Sequence, residues 1–191
     1  DQYVRDEALM WHWSPNHGFG MDLPVRGFNE AQIVYLLAVA SPTHGIPGSS
    51  YQRGWITPWY KNGRSFYGHT LEVGPDFGGP LFWTHYSYLG FSPLGWTDGY
   101  AEYFEHGRKV ALVHHAYAVD NPLGHEGYGA ECWGLTASLD PWGYRAHEPR
   151  PDGDNGTIAP TAALSSMPYT PEESIAALRH FYHVHGPRLW C

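Results

Sequence analysis

Residues 29–42, Asn29-Glu30-Ala31-Gln32-Ile33-Val34-Tyr35-Leu36-Leu37-Ala38-Val39-Ala40-Ser41-Pro42, constrain the fold of this chain more than any other segment. Ile33, Val34, Leu36, Leu37 and Ala40 recur at three- and four-residue spacing, which predicts a helix. Asn29 is a suitable N-cap and Pro42 ends the run. Ala38 and Val39 fill the remaining surface, so the helix is expected to be apolar nearly all round. Such a helix is stable only when neighbours cover it on several sides. Glu30 is expected in its first turn, above Val34 and Leu37 and pointing toward the interior or a cleft. Burial there would favour the neutral carboxyl and the helix N-terminus the charged one. Glu30 is therefore either a cap of its own helix or a group that does chemistry.

The rest of the chain reads as further helices joined by long loops. Residues 1–12 form a short helix through Tyr3, Val4, Ala8 and Met10, and a Pro- and Gly-containing loop then presents Trp11, His12 and Trp13. Residues 45–79 carry many Gly, Pro and aromatic residues without a period and read as a loop, with Thr70-Leu71-Glu72-Val73 its only strand-like run. Gly78-Gly79-Pro80 starts a helix with Leu81, Phe82, His85, Tyr88 and Leu89 on its apolar face. Thr97 or Asp98 caps the longest helix, roughly 99–119, and Asn121-Pro122 ends it. Residues 123–169 are again loop-like, and Thr170-Pro171-Glu172-Glu173 is a capping box for a last helix that ends at Gly186-Pro187. The fold class expected is all-α, a single domain over 1–191. Loops this long in a compact domain usually carry its site.

Composition narrows the partners. A net charge of −8 argues against nucleic acid and against an anionic membrane surface. No run approaches the ~20 apolar residues of a membrane-spanning helix. The two cysteines, Cys132 and Cys191, are too few for a disulfide framework. With 9 Trp and 14 Tyr against only 16% charged residues, the surface is expected to present many rings with an apolar face and a polar edge, which suits sugar stacking. The chain stops on Trp190-Cys191, where a polar tail would be expected, and so reads as truncated.

The acid–base candidates are Glu30, Glu131, Asp98, Asp120, Glu126 and Glu148, and paired carboxylates beside a ring-rich cleft are what glycoside hydrolysis needs. Glu131 lies among Tyr128, Cys132 and Trp133 in an otherwise uncharged run, which points to burial. Asp98 is best explained as a helix cap and Asp120 as a helix-end residue. The 13 His include His114 with His115, and His180 with His183 and His185, but no His-Glu-x-x-His and no cysteine pair at zinc spacing. No metal and no cofactor are expected. There is no nucleophile elbow and no phosphate loop, and Asp152-Gly153-Asp154-Asn155-Gly156 reads as a turn.

Taken together, Trp11-His12-Trp13-Ser14-Pro15, Gly27-Phe28-Asn29-Glu30, Ser41-Pro42-Thr43-His44, Phe77-Gly78-Gly79-Pro80, Thr84-His85-Tyr86-Ser87, Gly127-Tyr128-Gly129 with Cys132-Trp133-Gly134, and Ile158-Ala159-Pro160-Thr161 resemble, in order, the bacterial glucoamylase-like domain family. That family includes endo-β-1,2-glucanases and the transglycosylating domain of cyclic β-1,2-glucan synthases. The resemblance implies an (α/α)6 toroid of which this chain is an incomplete part, with the cleft at one end of the barrel. It implies a periplasmic or secreted glycoside hydrolase acting on a β-linked glucan, β-1,2-glucan first. Glu30 is implied as the catalytic acid and Glu131 as a second acid, in a position where Asp is the expected form. Leu139, inserted before Asp140, is a further departure. Trp11, Trp13, His44, His85, Tyr86 and Trp133 are implied as substrate-binding residues of the cleft. The alternatives are transglycosylation and a glycan-binding module without chemistry; Tyr86-Ser87-Tyr88-Leu89-Gly90 favours the hydrolase. Residues 1–191 alone are expected to fold poorly and to be inactive, because a helix apolar all round would lack neighbours.

Overall fold

The computed structural model describes residues 3–189. A hairpin of β1 (Val4–Arg5) and β2 (Ala8–Leu9) is followed by helix α1 (Gln32–Ala40), then α2 (Gly48–Ser50) running into a π-helical turn, Tyr51–Trp55. A second hairpin, β3 (Ser65–Phe66) and β4 (His69–Thr70), leads through a 3-10 turn, Asp76–Gly78, to α3 (Leu81–His85) and a 3-10 extension, Tyr86–Leu89. The long helix α4 (Tyr103–Asp120) comes next, then a third hairpin of β5 (Ala137–Asp140) and β6 (Gly143–Ala146). Helices α5 (Pro160–Ser165) and α6 (Pro171–His180), a π turn at Phe181–His185 and α7 (Gly186–Leu189) complete the described residues. Helices dominate, but three antiparallel two-stranded ribbons accompany them, so all-α is too narrow a description.

The helix expected over 1–12 is the first of these ribbons, with Val4 opposite Leu9 and Arg5 opposite Ala8. Asp6 and Glu7 both take left-handed backbone, φ 47° and 65°, which makes a two-residue hairpin turn and excludes a helix. The buried Ala8 and Leu9 pack on the π turn, where a Cβ on Gly54 would lie 2.0 Å from the Glu7 carbonyl oxygen. Only glycine allows that approach. The hairpin is tied to α1 through Tyr35, whose hydroxyl accepts from Leu9 N and donates to Val25 O, both at 2.8 Å.

Two cores result. One surrounds α4 and holds Leu81, Val110, Ala111, Trp133, Ala163, Ala177 and Phe181. The other is aromatic and holds Phe28, Tyr35, Tyr51, Trp55, Tyr60 and Tyr103. The run 45–79 is therefore no open loop: its Tyr51, Trp55, Tyr60 and Phe66 are buried. Their polar edges are satisfied by one another, with Trp55 Nε1 donating to Tyr60 OH at 3.1 Å and Tyr60 OH paired with Tyr103 OH at 2.8 Å. Asp98 accepts from both Tyr51 OH and Tyr103 OH, at 2.6 and 2.7 Å. It anchors this network rather than capping α4, whose N-cap is Glu102, accepting from Glu105 N.

Helix α1 buries Gln32 and Tyr35 and leaves Val34, Leu37 and Val39 exposed, so it is not covered all round within these residues. Its first turn starts after Glu30, at Gln32, and Asn29 Oδ1 accepts from Ala31 N instead of capping the helix. At the other end of the chain, Thr170 precedes α6 but forms no side-chain cap, and Pro187 sits in the first turn of α7, where its missing N–H is tolerated. The last helix therefore continues past Gly186-Pro187. Trp190 and Cys191, which suggested truncation, lie outside the described residues.

Candidate active site

Glu30 is held by the way residues 26–33 turn into α1. Gly27 takes φ 78° and its N–H donates to Trp55 O at 2.8 Å, which aims Phe28 into the aromatic core. Phe28 stacks on Tyr103 at 6.4 Å and meets His106 edge to face at 5.1 Å. Gly74 makes room for it, since a Cβ there would lie 2.9 Å from Phe28 Cδ1. With Phe28 fixed, Asn29 and Glu30 emerge half-buried at the surface. Behind them the buried Ser87 hydroxyl donates to Glu30 O at 2.9 Å and accepts from Ile33 N at 3.2 Å. One side chain thus pins both the Glu30 peptide and the start of α1.

Glu30 lines a concavity of about 350 Å³ together with Trp11, Leu23, Pro24, Val25, Arg26, Asn29 and Trp83. A second, of about 270 Å³, shares Arg26, Asn29 and Trp83 and adds Trp59. Arg26 has little freedom in this wall. Its guanidinium donates to the carbonyls of Asp6, Arg53 and Gly54 at 2.9–3.1 Å, joining the β1–β2 turn to the π turn. Trp11 and Trp59 are 48% and 73% exposed, and flat, accessible indole faces suit a sugar chain.

Of the residues read from the sequence, the structure brings only Trp11 and Glu30 together here. Trp13, His44 and Tyr86 are exposed but line neither concavity; His44 sits in the turn after α1 with Nδ1 3.0 Å from Thr43 Oγ1, and Tyr86 packs edgewise on Phe82. His85 and Trp133 are buried and line neither concavity. His85 is 7% exposed, stacks on Tyr169 and has its ring nitrogens 3.3 and 3.2 Å from Ser165 Oγ and Ser166 Oγ. Burial lowers its pKa to about 4, so it is neutral. Trp133 is 0% exposed, with no ring face for a ligand, and its Nε1 donates to Glu173 O. Glu131 is exposed rather than buried, because the tight Gly129–Cys132 turn sends Cys132 inward and leaves Glu131 outward, 3.7 Å from His180 Nδ1.

The remaining carboxylates are explained by their neighbours. Asp120 accepts from Tyr67 OH, and Asp140 accepts from Trp142 N and Gly143 N in the β5–β6 turn. Glu148 pairs with Arg150 at 2.8 Å, with burial raising its pKa, while Glu126 is exposed. Arg26, Trp59 and Trp83 are the site residues that sequence reasoning missed. For Trp83 there was a signal, a large ring between Phe82 and Thr84 that falls off the apolar face assigned to α3.

Residues 22–191 match the glycoamylase family model described as "Putative glucoamylase". The chain belongs to this family. It is 44% identical, over 99% of its length and 29% of the relative's, to the exo-β-1,2-glucooligosaccharide sophorohydrolase (non-reducing end) of Parabacteroides distasonis. Among solved structures it superposes on the Chitinophaga pinensis endo-β-1,2-glucanase, captured with sophorotriose and glucose, with TM-score 0.92, 47% identity and coverage of 97% of this chain and 46% of that one. It superposes on a β-1,2-glucanase from P. distasonis with TM-score 0.94, 43% identity and coverage of 99% and 30%. The chain spans less than half the length of each of these glucoamylase-like proteins.

Proposed function

We propose that the protein is a glycoside hydrolase that cleaves β-1,2-glucan, with Glu30 as the general acid. The observation that carries this reading is the half-buried Glu30 in a concavity walled by Trp11 and Trp83, its backbone pinned by Ser87. Glucosyl rings lie against the indole faces, and the Glu30 carboxyl protonates the glycosidic oxygen as the bond to the leaving sugar breaks. A second carboxylate, acting either as nucleophile or as base for an attacking water, completes the hydrolysis. Arg26, fixed by three carbonyls, supplies a positive charge in the same wall. The β-1,2 linkage rests on the names of relatives at 43–47% identity. From the family resemblance we also propose that the elements belong to an (α/α)6 toroid and that the protein works in the periplasm or outside the cell. Among the described residues no helix is long and apolar enough to cross a membrane.

The test is Glu30→Gln in the intact protein, assayed on β-1,2-glucan. Loss of general-acid assistance predicts a fall in kcat of about a hundredfold or more. Turnover close to that of the unaltered protein would remove Glu30 from the role.

A further inference from the structure

Cys132, His180 and His185 converge where the 129–134 loop meets the end of α6, and one ligand atom from each lies within 4.8 Å of the other two. Among the described residues no other three His, Cys, Asp or Glu side chains meet this way. We propose that they form a binding site for a zinc-class divalent ion, a site separate from the glucan concavity.

The backbone prepares this arrangement. In an α-helix, residues five apart sit about 140° apart around the axis. Here α6 passes into the π turn Phe181–His185, with Gly186 N–H donating to Phe181 O, and closing the turn over five residues brings position 185 back toward position 180. The two imidazoles then stand 5.1 Å apart at 79°. Cys132 is placed from the other side. Its backbone exchanges hydrogen bonds with Gly129, at 3.1 and 3.2 Å, and the next residue, Trp133, ties the loop to α6 through Glu173 O. Its thiol is free and buried.

The donor set indicates the ion. A thiolate with two imidazoles suits Zn²⁺ and not Mg²⁺ or Ca²⁺, which take oxygen ligands. Zn–S and Zn–N bonds of about 2.3 and 2.0 Å at a tetrahedral angle place ligand atoms about 3.3–3.6 Å apart. The gap from 4.8 Å is small, and His185, which is exposed, has room to close it. Glu131 lies 3.7 Å from His180 Nδ1 and supplies the carboxylate that commonly accompanies a metal-bound imidazole. An ion held this way clamps the 129–134 loop to the end of α6 and stabilises the folded state increasingly as free ion exceeds its dissociation constant.

The experiment is a titration of the intact, reduced and metal-stripped protein with Co²⁺ alone, followed by Zn²⁺ alone. The proposal predicts one tight Co²⁺ per chain with a thiolate-to-metal charge-transfer band and tetrahedral d–d absorption, both displaced by Zn²⁺, and a Tm that rises with Zn²⁺ but not with Mg²⁺. Cys132→Ser should abolish the charge-transfer band, and His185→Asn and Glu131→Gln should each weaken binding by about tenfold or more. Absence of the band in the unaltered protein would overturn the proposal. So would a band that survives Cys132→Ser, which would place the ion on another thiol.

Discussion

At the residue scale, Glu30 depends on side chains that carry no charge. Ser87 contributes its hydroxyl to the Glu30 carbonyl and to Ile33 N, and it is buried, so no water replaces it. Ser87→Ala leaves two backbone groups short of a partner, at a cost of about 1–3 kcal/mol. The larger expectation concerns catalysis. A misplaced acid predicts a fall in kcat of about tenfold to a hundredfold with KM little changed. Steady-state kinetics on β-1,2-glucan beside a thermal melt checks this, and a lower Tm with unaltered kcat would reduce Ser87 to a stability role. The Gly27-Phe28-Asn29-Glu30 motif singles out Glu30 as the proposed acid, but its place was not legible, because the helix expected to include it begins two residues later. His180 and His185 stand out in the sequence, but not with Cys132, since a loop and a π turn bring together residues that no spacing rule connects.

At the scale of elements, the long helices were legible and the ribbons were not. The periodicity of α4 and α6 persists over whole turns, whereas β1 to β4 have two residues each, too few for an alternating pattern. The Asp6-Glu7 turn also lacks the Asn-Gly or Asp-Gly signature of its type. Helices α3 and α4 have a consequence for pH. They carry His85, His106 and His114, all buried. Burial lowers His85 to about 4 and His114 to about 3, the latter despite the bond from Nε2 to Gly79 O at 2.8 Å. Burial also lowers His106, against the opposing pull of Glu72. In the unfolded chain each titrates near 6.5. Below that pH the unfolded state binds more protons than the folded one, so stability falls as the pH drops from about 6.5 toward 4. Glu72 acts lower down. Its hydrogen bond with His106, and then Lys109, hold it at about 2, so its contribution is present above the usual carboxylate range and lost from about 4.5 toward 2. Urea midpoints measured from pH 7 to about 5 should therefore decline, and His114→Gln should flatten the decline. A level profile over that interval would show that these imidazoles charge without unfolding the protein.

At the scale of the whole molecule, composition was misread in one respect and useful in another. The wealth of rings pointed to a sugar-binding surface, yet Tyr35, Trp55, Tyr60, Tyr103 and Trp133 build the cores. Among the exposed rings, Trp11 lines one concavity with Glu30 and Arg26, and Trp59 lines the neighbouring one with Arg26. The outward face of α1, with Val34 and Leu37, is the surface on which further helices of the proposed toroid would pack. Hydrolysis, transglycosylation and simple retention of glucan differ in what they leave behind. The most direct measurement is therefore a product analysis of the intact protein incubated separately with β-1,2-, β-1,3-, β-1,4- and α-linked glucans. The account predicts that β-1,2-glucan alone is shortened to linear oligosaccharides. Rings or lengthened chains, cleavage of another linkage in preference, or unaltered β-1,2-glucan retained by the protein would contradict it.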